Sequence, residues 1–178
     1  MVVFDTTFLR LLLRPDADPP ADPSSGRLVT SCQSRIEYLI ESLESDGETI
    51  VVPTPALAEL LVVENKFGPD HMTFIDKHGA FNIVPFDRRA AVEHAEQSRS
   101  AITSGDKKGG SDESWTKVKF DRQILAIAKV CKANTIYSDD DKLRKAARKA
   151  GLAAIGVHEL PVKPDPPQHE MDLDTETD

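Results

Sequence analysis

The chain has 178 residues, 39% of them hydrophobic and 29% charged, with a formal net charge of −8. That length suits one domain of ordinary size plus some unpacked chain, and no apolar run approaches the roughly 20 residues that cross a bilayer. The acidity excludes a protein that grips nucleic acid through one large basic face, but it is unevenly spread: residues 161–178 carry a net −5, leaving −3 on residues 1–160.

Residues 1–4, MVVF, form a continuous apolar run of the kind found in strands buried on both faces, and the run stops at Asp5. Asp5 and Arg10 interrupt the apolar start, and there is neither a basic leader nor a small-residue cleavage site, so no export signal is expected. Four prolines between Arg14 and Gly26 predict a loop. From Ser31 to Gly47, Cys32, Ile36, Leu39, Ile40 and Leu43 follow the helical period. TIVV at 49–52 reads as a second strand, and Thr54-Pro55 as a helix start with Thr as N-cap, running towards Gly68. A short helix over 70–78, a third strand over 80–84 and a helix after Asp87 follow. The glycine-rich stretch 103–116 predicts a loop. Phe120, Ile124, Ile127, Ala128 and Cys131 then mark a strong helix, TIY at 135–137 a fourth strand, SDDD and KLRKAARKAG another helix, and residues 152–155 a last short strand.

Strands alternating with helices predict a three-layer α/β/α sandwich around a central parallel sheet of four to five strands, spanning residues 1–160. Residues 161–178, proline-rich and then acidic, predict a disordered tail. Cys32 and Cys131 lie far apart with no CxxC, which predicts buried free thiols in a reducing compartment, the cytoplasm.

In open α/β sheets functional groups gather beyond the carboxyl ends of the strands, which singles out Asp5 and the SDDD run. Two carboxylates inside helices carry more information, because a charge on an apolar helix face is costly unless compensated. Glu59 projects by phase between Ala56, Val62 and Val63, and Asp121 lies near the direction of Ile124, Leu125 and Ala128. Should Asp5, Glu59, Asp121 and one of the aspartates 139–141 meet, each pair at about 4 Å would repel by roughly 4 kcal/mol at an effective dielectric of 20. Such a cluster calls for cations. An all-oxygen site suits Mg²⁺ or Mn²⁺, whereas zinc favours His or Cys, and the five histidines show no ligand spacing.

Over residues 1–160 the sequence resembles the PIN-domain family, including the VapC-like toxin ribonucleases. That family opens with a hydrophobic strand followed by Asp-x-Asn/Ser/Thr, matched by Asp5-Thr6-Thr7. Its second acid lies in a Glu-Leu pattern, matched by Glu59-Leu60. Its third opens Asp-x-x-Ile/Leu-x-Ala-x-Ala, matched by Asp121, Ile124 or Leu125, Ala126 and Ala128, and its fourth follows a strand in Thr/Ser-x-Asp-x-Asp-Phe/Leu, matched by Ser138, Asp140 and Leu143. Lys142 stands where that motif has its second Asp, leaving Asp139 or Asp141 as a substitute. The resemblance implies Mg²⁺- or Mn²⁺-dependent hydrolysis of RNA phosphodiester bonds with Asp5, Glu59, Asp121 and Asp140 as metal-holding catalytic residues. It further implies Thr7 and Ser138 as orienting groups, an antitoxin partner and homodimerisation.

Taken singly, each feature has a plainer reading. Asp5-Thr-Thr is a strand-to-helix cap, SDDD a helix start that satisfies free N–H groups, Glu59 a surface acid and Asp121 a first-turn residue. Their order on the right elements favours the site. Lys142, Arg144 and their neighbours read as a solvated helix face, or as contacts for substrate phosphates beside an acidic site. Lys107, Lys108, Lys117, Lys119 and Arg122 flank Asp121, with Trp115 able to stack on a base. A haloacid-dehalogenase-like phosphatase fails because its second Asp falls on Thr7. A phospho-receiver lacks its acidic pair. The rival is a catalytically inactive PIN-like RNA-binding or scaffold module.

Overall fold

The computed structural model describes residues 1–164, so most of the acidic tail expected over 161–178 lies outside the described residues. The chain runs β1 (Val2–Phe4), α1 (Thr6–Leu13), α2 (Cys32–Ser45), β2 (Ile50–Pro53), α3 (Thr54–Val63), α4 (Gly68–Lys77), β3 (Phe81–Val84), α5 (Arg88–Thr103), α6 (Trp115–Val130), β4 (Thr135–Tyr137), α7 (Asp141–Lys149) and β5 (Ala153–Ile155), with single 3-10 turns at Asn65–Phe67 and Val157–Glu159. The five strands form one parallel sheet in the order β3-β2-β1-β4-β5, with Val3 registered on Val51 to one side and Ile136 on the other. Among the described residues the sheet is flanked by seven helices in the α/β/α arrangement of PIN-like domains, as the alternation of elements predicts.

Strand burial follows position in the sheet. β1 and β2 are buried along their whole length and read as unbroken apolar runs, whereas β3 and β5, at the edges, are half exposed. The core gathers around β1: Phe4, Phe8 and Tyr137 pack with ring centroids 4.7 to 5.4 Å apart, an arrangement favoured by the aromatic quadrupole. The next residue after Phe4 is Asp5, and the next after Tyr137 is Ser138. The aromatic cluster therefore fixes the backbone from which the polar groups emerge.

Several elements depart from the sequence expectation. Helix α1 has no expected counterpart: it buries Phe8, Leu9, Leu11 and Leu12, and its 8 residues, with Arg10 as the single charged position, are too short a stretch to show the helical period. Helix α3 begins one residue early: Pro53 holds the cap position, Thr54 is the first helical residue, and the Thr54 hydroxyl instead accepts the Phe86 N–H at 3.0 Å, tying the exit of β3 to α3. The proline-rich stretch is an ordered loop in which Ala21 bridges Leu28 around a turn that places Gly26 at φ +67°. Cys32 and Cys131 are free thiols, half-buried rather than enclosed. Among the described residues no helix is long and apolar enough to cross a membrane.

Candidate active site

All five strands run the same way, so their carboxyl ends share one edge. The chain leaves β1 towards β2 on one side and later crosses to β4 on the other, making the β1–β4 junction the switch point at which open α/β sheets receive ligands. Asp5 and Ser138 leave their strands at that junction, joined by the Asp5 N–H donating to the Tyr137 carbonyl at 3.2 Å.

Asp5 is 2% exposed and caps α1, its Oδ1 accepting the Phe8 N–H at 2.9 Å. The Ser138 hydroxyl donates to its Oδ2 at 2.6 Å, and the Thr7 hydroxyl lies within 3.0 Å of both carboxylate oxygens. Burial pushes the Asp5 carboxyl up to about 7, against the lowering effect of the Ser138, Phe8 and Thr7 hydrogen bonds, with Asp139 adding a small upward push. Thr7 and Ser138 also carry the next loop: Thr7 Oγ1 accepts the Asp139 N–H at 2.9 Å and Ser138 Oγ the Asp140 N–H at 3.0 Å. These two hydroxyls thus fix the relative position of Asp5 and the 139–140 backbone.

Asp121, on the second turn of α6, is 6% exposed, in keeping with its phase beside the buried Ile124, Leu125 and Ala128. Its Oδ1 is enclosed and accepts no hydrogen bond. The Lys117 ammonium lies 3.3 Å away, close enough for an ion pair but outside hydrogen-bonding geometry. Burial pushes Asp121 up to about 6; Lys117 opposes this, while Asp140 and Glu59 reinforce it. Asp140 caps α7, its Oδ1 accepting the Lys142 and Leu143 N–H groups at 2.9 and 3.1 Å, and its Oδ2 pairs with the same Lys117 ammonium at 2.8 Å. For Asp140 burial raises the carboxyl, but the closer ammonium and the two N–H groups outweigh it and hold the group below its ordinary value. Two acids sharing one ammonium therefore differ in direction because Asp140 lies closer to it and is also a helix cap.

Glu59 is half-buried, and its neighbours Val62 and Val63 are 78% and 57% exposed, so the face expected to point inward does not. Contact with the site comes instead from Thr6, whose hydroxyl donates to Glu59 Oε2 at 2.7 Å and lies 3.3 Å from the Ala56 carbonyl. The α1–α3 packing supplies what the helical wheel of α3 alone does not. Sequence reasoning missed Thr6, and the signal was present: a second hydroxyl in Asp5-Thr6-Thr7. It named Lys117 only as a flanking charge, although the four-residue spacing to Asp121 marks a helical ion pair. It also missed Glu64, 5% exposed and held between Arg10 and Arg14.

The remaining candidates are placed as follows. Asp139 is half-buried as a residue with its side chain 8% exposed, its Oδ1 accepting the Val157 N–H at 3.1 Å, and burial raises its carboxyl. Asp141 is exposed at 44% of its side chain and pairs with Lys145 at 2.6 Å. Lys142 turns outward to pair with Asp112 of the 104–114 loop. Arg144 fits neither the solvated face nor the phosphate contact that its sequence position offers: it is 3% exposed, its guanidinium 3.3 Å from the Ser138 carbonyl and 3.9 Å from Asp139. That burial removes Arg144 from the list of phosphate contacts. Arg122 is half-buried and donates to the Lys107 carbonyl at 2.6 Å. Lys107, Lys119 and Arg122 lie 5.3 to 5.9 Å from the Trp115 ring centre, so cations rather than open solvent surround that ring. A cleft of about 710 Å³ runs from Asp121 between α5, α6 and α7 under the 104–114 loop, walled by Lys108, Lys129, Lys145 and Lys149 over an apolar floor that includes Val118 and Leu125.

Four carboxylates thus reach the same edge, but they are not gathered into a cage: among the described residues no three Asp, Glu, His or Cys side chains are disposed to hold a metal ion. Asp121 and Asp140 share the Lys117 ammonium, Glu59 stands within electrostatic reach of Asp121, and Asp5 is reached through Ser138. The donor chemistry nevertheless fits a hard divalent cation: all oxygen, two groups with raised proton affinity, and one enclosed carboxylate oxygen with no hydrogen bond.

Fold and site together define a PIN-like α/β/α domain with an acidic edge at its switch point. Among solved structures, the chain is similar to that of FitAB bound to an IR36 DNA fragment, with 20% identity and a TM-score of 0.56 over 90% of this chain and 98% of that one. It is similar to VapBC2 from Rickettsia felis bound to a DNA fragment from its promoter (13% identity, TM-score 0.54, 88% and 98% covered). DNA-bound VapBC from Salmonella typhimurium is a third such structure (14%, 0.56, 88% and 97%). The VapC and FitB components of such complexes are PIN domains, so the fold agrees with the resemblance read from the sequence. No family model and no curated protein matches the chain.

Proposed function

We propose that the protein is a Mg²⁺- or Mn²⁺-dependent endoribonuclease, with Asp5, Glu59, Asp121 and Asp140 holding the ion. The observation that carries the reading is the enclosed, hydrogen-bond-free Asp121 Oδ1 facing Asp140 across a single positive charge, since a buried carboxylate oxygen left in that state is stabilised by a cation. A bound divalent ion would lower the pKa of a coordinated water and stabilise charge on the phosphate. The chain's own residues do the positioning. Thr7 and Ser138 orient Asp5 and the Asp139–Asp140 backbone, and Thr6 orients Glu59. The lysines of the adjoining cleft, Lys142 among them, suit a polyanionic strand whose phosphates are held without reading its sequence, and Lys119 beside Trp115 adds a further positive charge on α6.

The solved structures that it resembles are two-component assemblies on DNA, and by that likeness we infer a toxin-like role with an antitoxin partner and a second copy of the chain. A reducing compartment such as the cytoplasm accords with two free thiols. Incubation with single-stranded RNA and Mn²⁺ tests the central reading. The expected result is cleavage to 5′-phosphate and 3′-hydroxyl ends that chelation abolishes and that magnesium restores. The inactive-module reading, favoured by the Lys117 ammonium resting on two of the four acids, predicts RNA retention without turnover in either metal.

A further inference from the structure

The cation that lies between the acids belongs to the chain itself. Lys117 sits in the first turn of α6, its N–H held by the Ser114 cap at 3.2 Å, and its side chain reaches across to the cap of α7. The ammonium stands 2.8 Å from Asp140 Oδ2 and 3.3 Å from Asp121 Oδ1, while 32% of the side chain remains open to solvent. The neighbouring cations are engaged elsewhere: Lys142 with Asp112, Lys145 with Asp141, and Arg144 with the buried Ser138 carbonyl. Lys117 is thus the side chain whose charge falls on both acids.

Building on the metal-site reading above, we propose that Lys117 is a displaceable internal counter-ion that competes with the divalent metal for Asp121 and Asp140. The two cations repel. A magnesium ion takes oxygen ligands at about 2.1 Å, so ligation by either carboxylate oxygen would set its charge within a few ångström of an ammonium that lies about 3 Å from the same atoms. The exchange requires no proton transfer and no rearrangement of the backbone: the lysine stem is long, starts in a terminal helical turn and has an open route to solvent. Lys117 leaves Asp121 Oδ1 without a hydrogen bond, so the position it fills is one that a metal would satisfy better. Held this way, the acids are kept close together without metal, and metal affinity is set below what four carboxylates alone would give. Lys117 is accordingly a positioning residue, and its effect is read in metal binding.

The test is calorimetric titration of the full chain with MnCl₂ at fixed pH and ionic strength, comparing wild type with Lys117→Met, Lys117→Gln and the charge-keeping Lys117→Arg. Removing one positive charge at this range is expected to tighten Mn²⁺ binding on the order of tenfold, while Lys117→Arg stays near wild type. The Mn²⁺-induced rise in Tm grows in parallel. Lys117→Gln retains a polar side chain, which keeps the comparison available if Lys117→Met does not fold. Equal or weaker Mn²⁺ affinity in the charge-removed variants, with wild type still binding, overturns the competition and leaves the metal site standing. No binding by any of the four proteins overturns both.

Discussion

Asp5 derives its raised proton affinity from enclosure, and the sign of that effect has a consequence for stability. Its carboxyl is held at about 7 and that of Asp121 at about 6 in the folded chain, against 3.8 for a free aspartate. Between those limits the folded state binds more protons than the unfolded one, so these groups' contribution to stability is present in acid and is lost as pH rises from about 4 to 7. Asp5→Asn removes the ionisation while keeping the side chain's size. The expected outcome in metal-free buffer is a Tm difference, variant minus wild type, that grows by about 5 °C between pH 4.5 and pH 8. A difference that is flat with pH would show that Asp5 is not held protonated. Divalent metal should flatten it, because a ligated carboxylate no longer pays for its charge.

At the scale of elements, a buried arginine joins the Asp140 cap in fixing the start of α7. Arg144 reaches the Ser138 carbonyl and Asp139, and a Cβ on Gly156 would run into its guanidinium and the His158 ring. Arg144→Met is expected to destabilise the fold by about 3 kcal/mol, since it strands a buried acid, and Gly156→Ala by about 1–3 kcal/mol through crowding. Denaturant unfolding measures both. A loss of RNA affinity in Arg144→Met without loss of stability would instead restore Arg144 to the substrate face. The same region shows what the sequence made legible. Strand ends and helix caps carry local signals, and Asp5, Ser138, Asp87 and Asp140 are placed by them. Asp121 was legible through phase, because its helix is amphipathic. Glu59 and Arg144 were not, since the first is oriented by Thr6 across the α1–α3 contact and the second is enclosed by β5 and the turn after it. Tertiary neighbours decide both, and no window of local sequence contains them.

Over the whole molecule, charge is divided between a nearly balanced domain and an acidic end. The fourteen residues after Pro164 carry six acids and no Lys or Arg, so removing them changes the net charge from −8 to −2. At low salt that deletion is expected to tighten RNA binding several-fold and to lessen as ionic strength shortens the Debye length to about 8 Å. Unchanged affinity across a salt series would show the end to be electrostatically inert towards substrate. The five-strand order and the switch point between β1 and β4 bring Asp5, Ser138 and Asp140 together from opposite ends of the chain. Sequence alternation predicted the layers, while strand order is a property of the assembled sheet. The most direct measurement of the central claim is RNA cleavage in Mn²⁺ by wild type beside folded Asp5→Ala and Asp121→Ala. The account predicts that each substitution lowers the rate by about 100-fold or more; undiminished cleavage in both would contradict it.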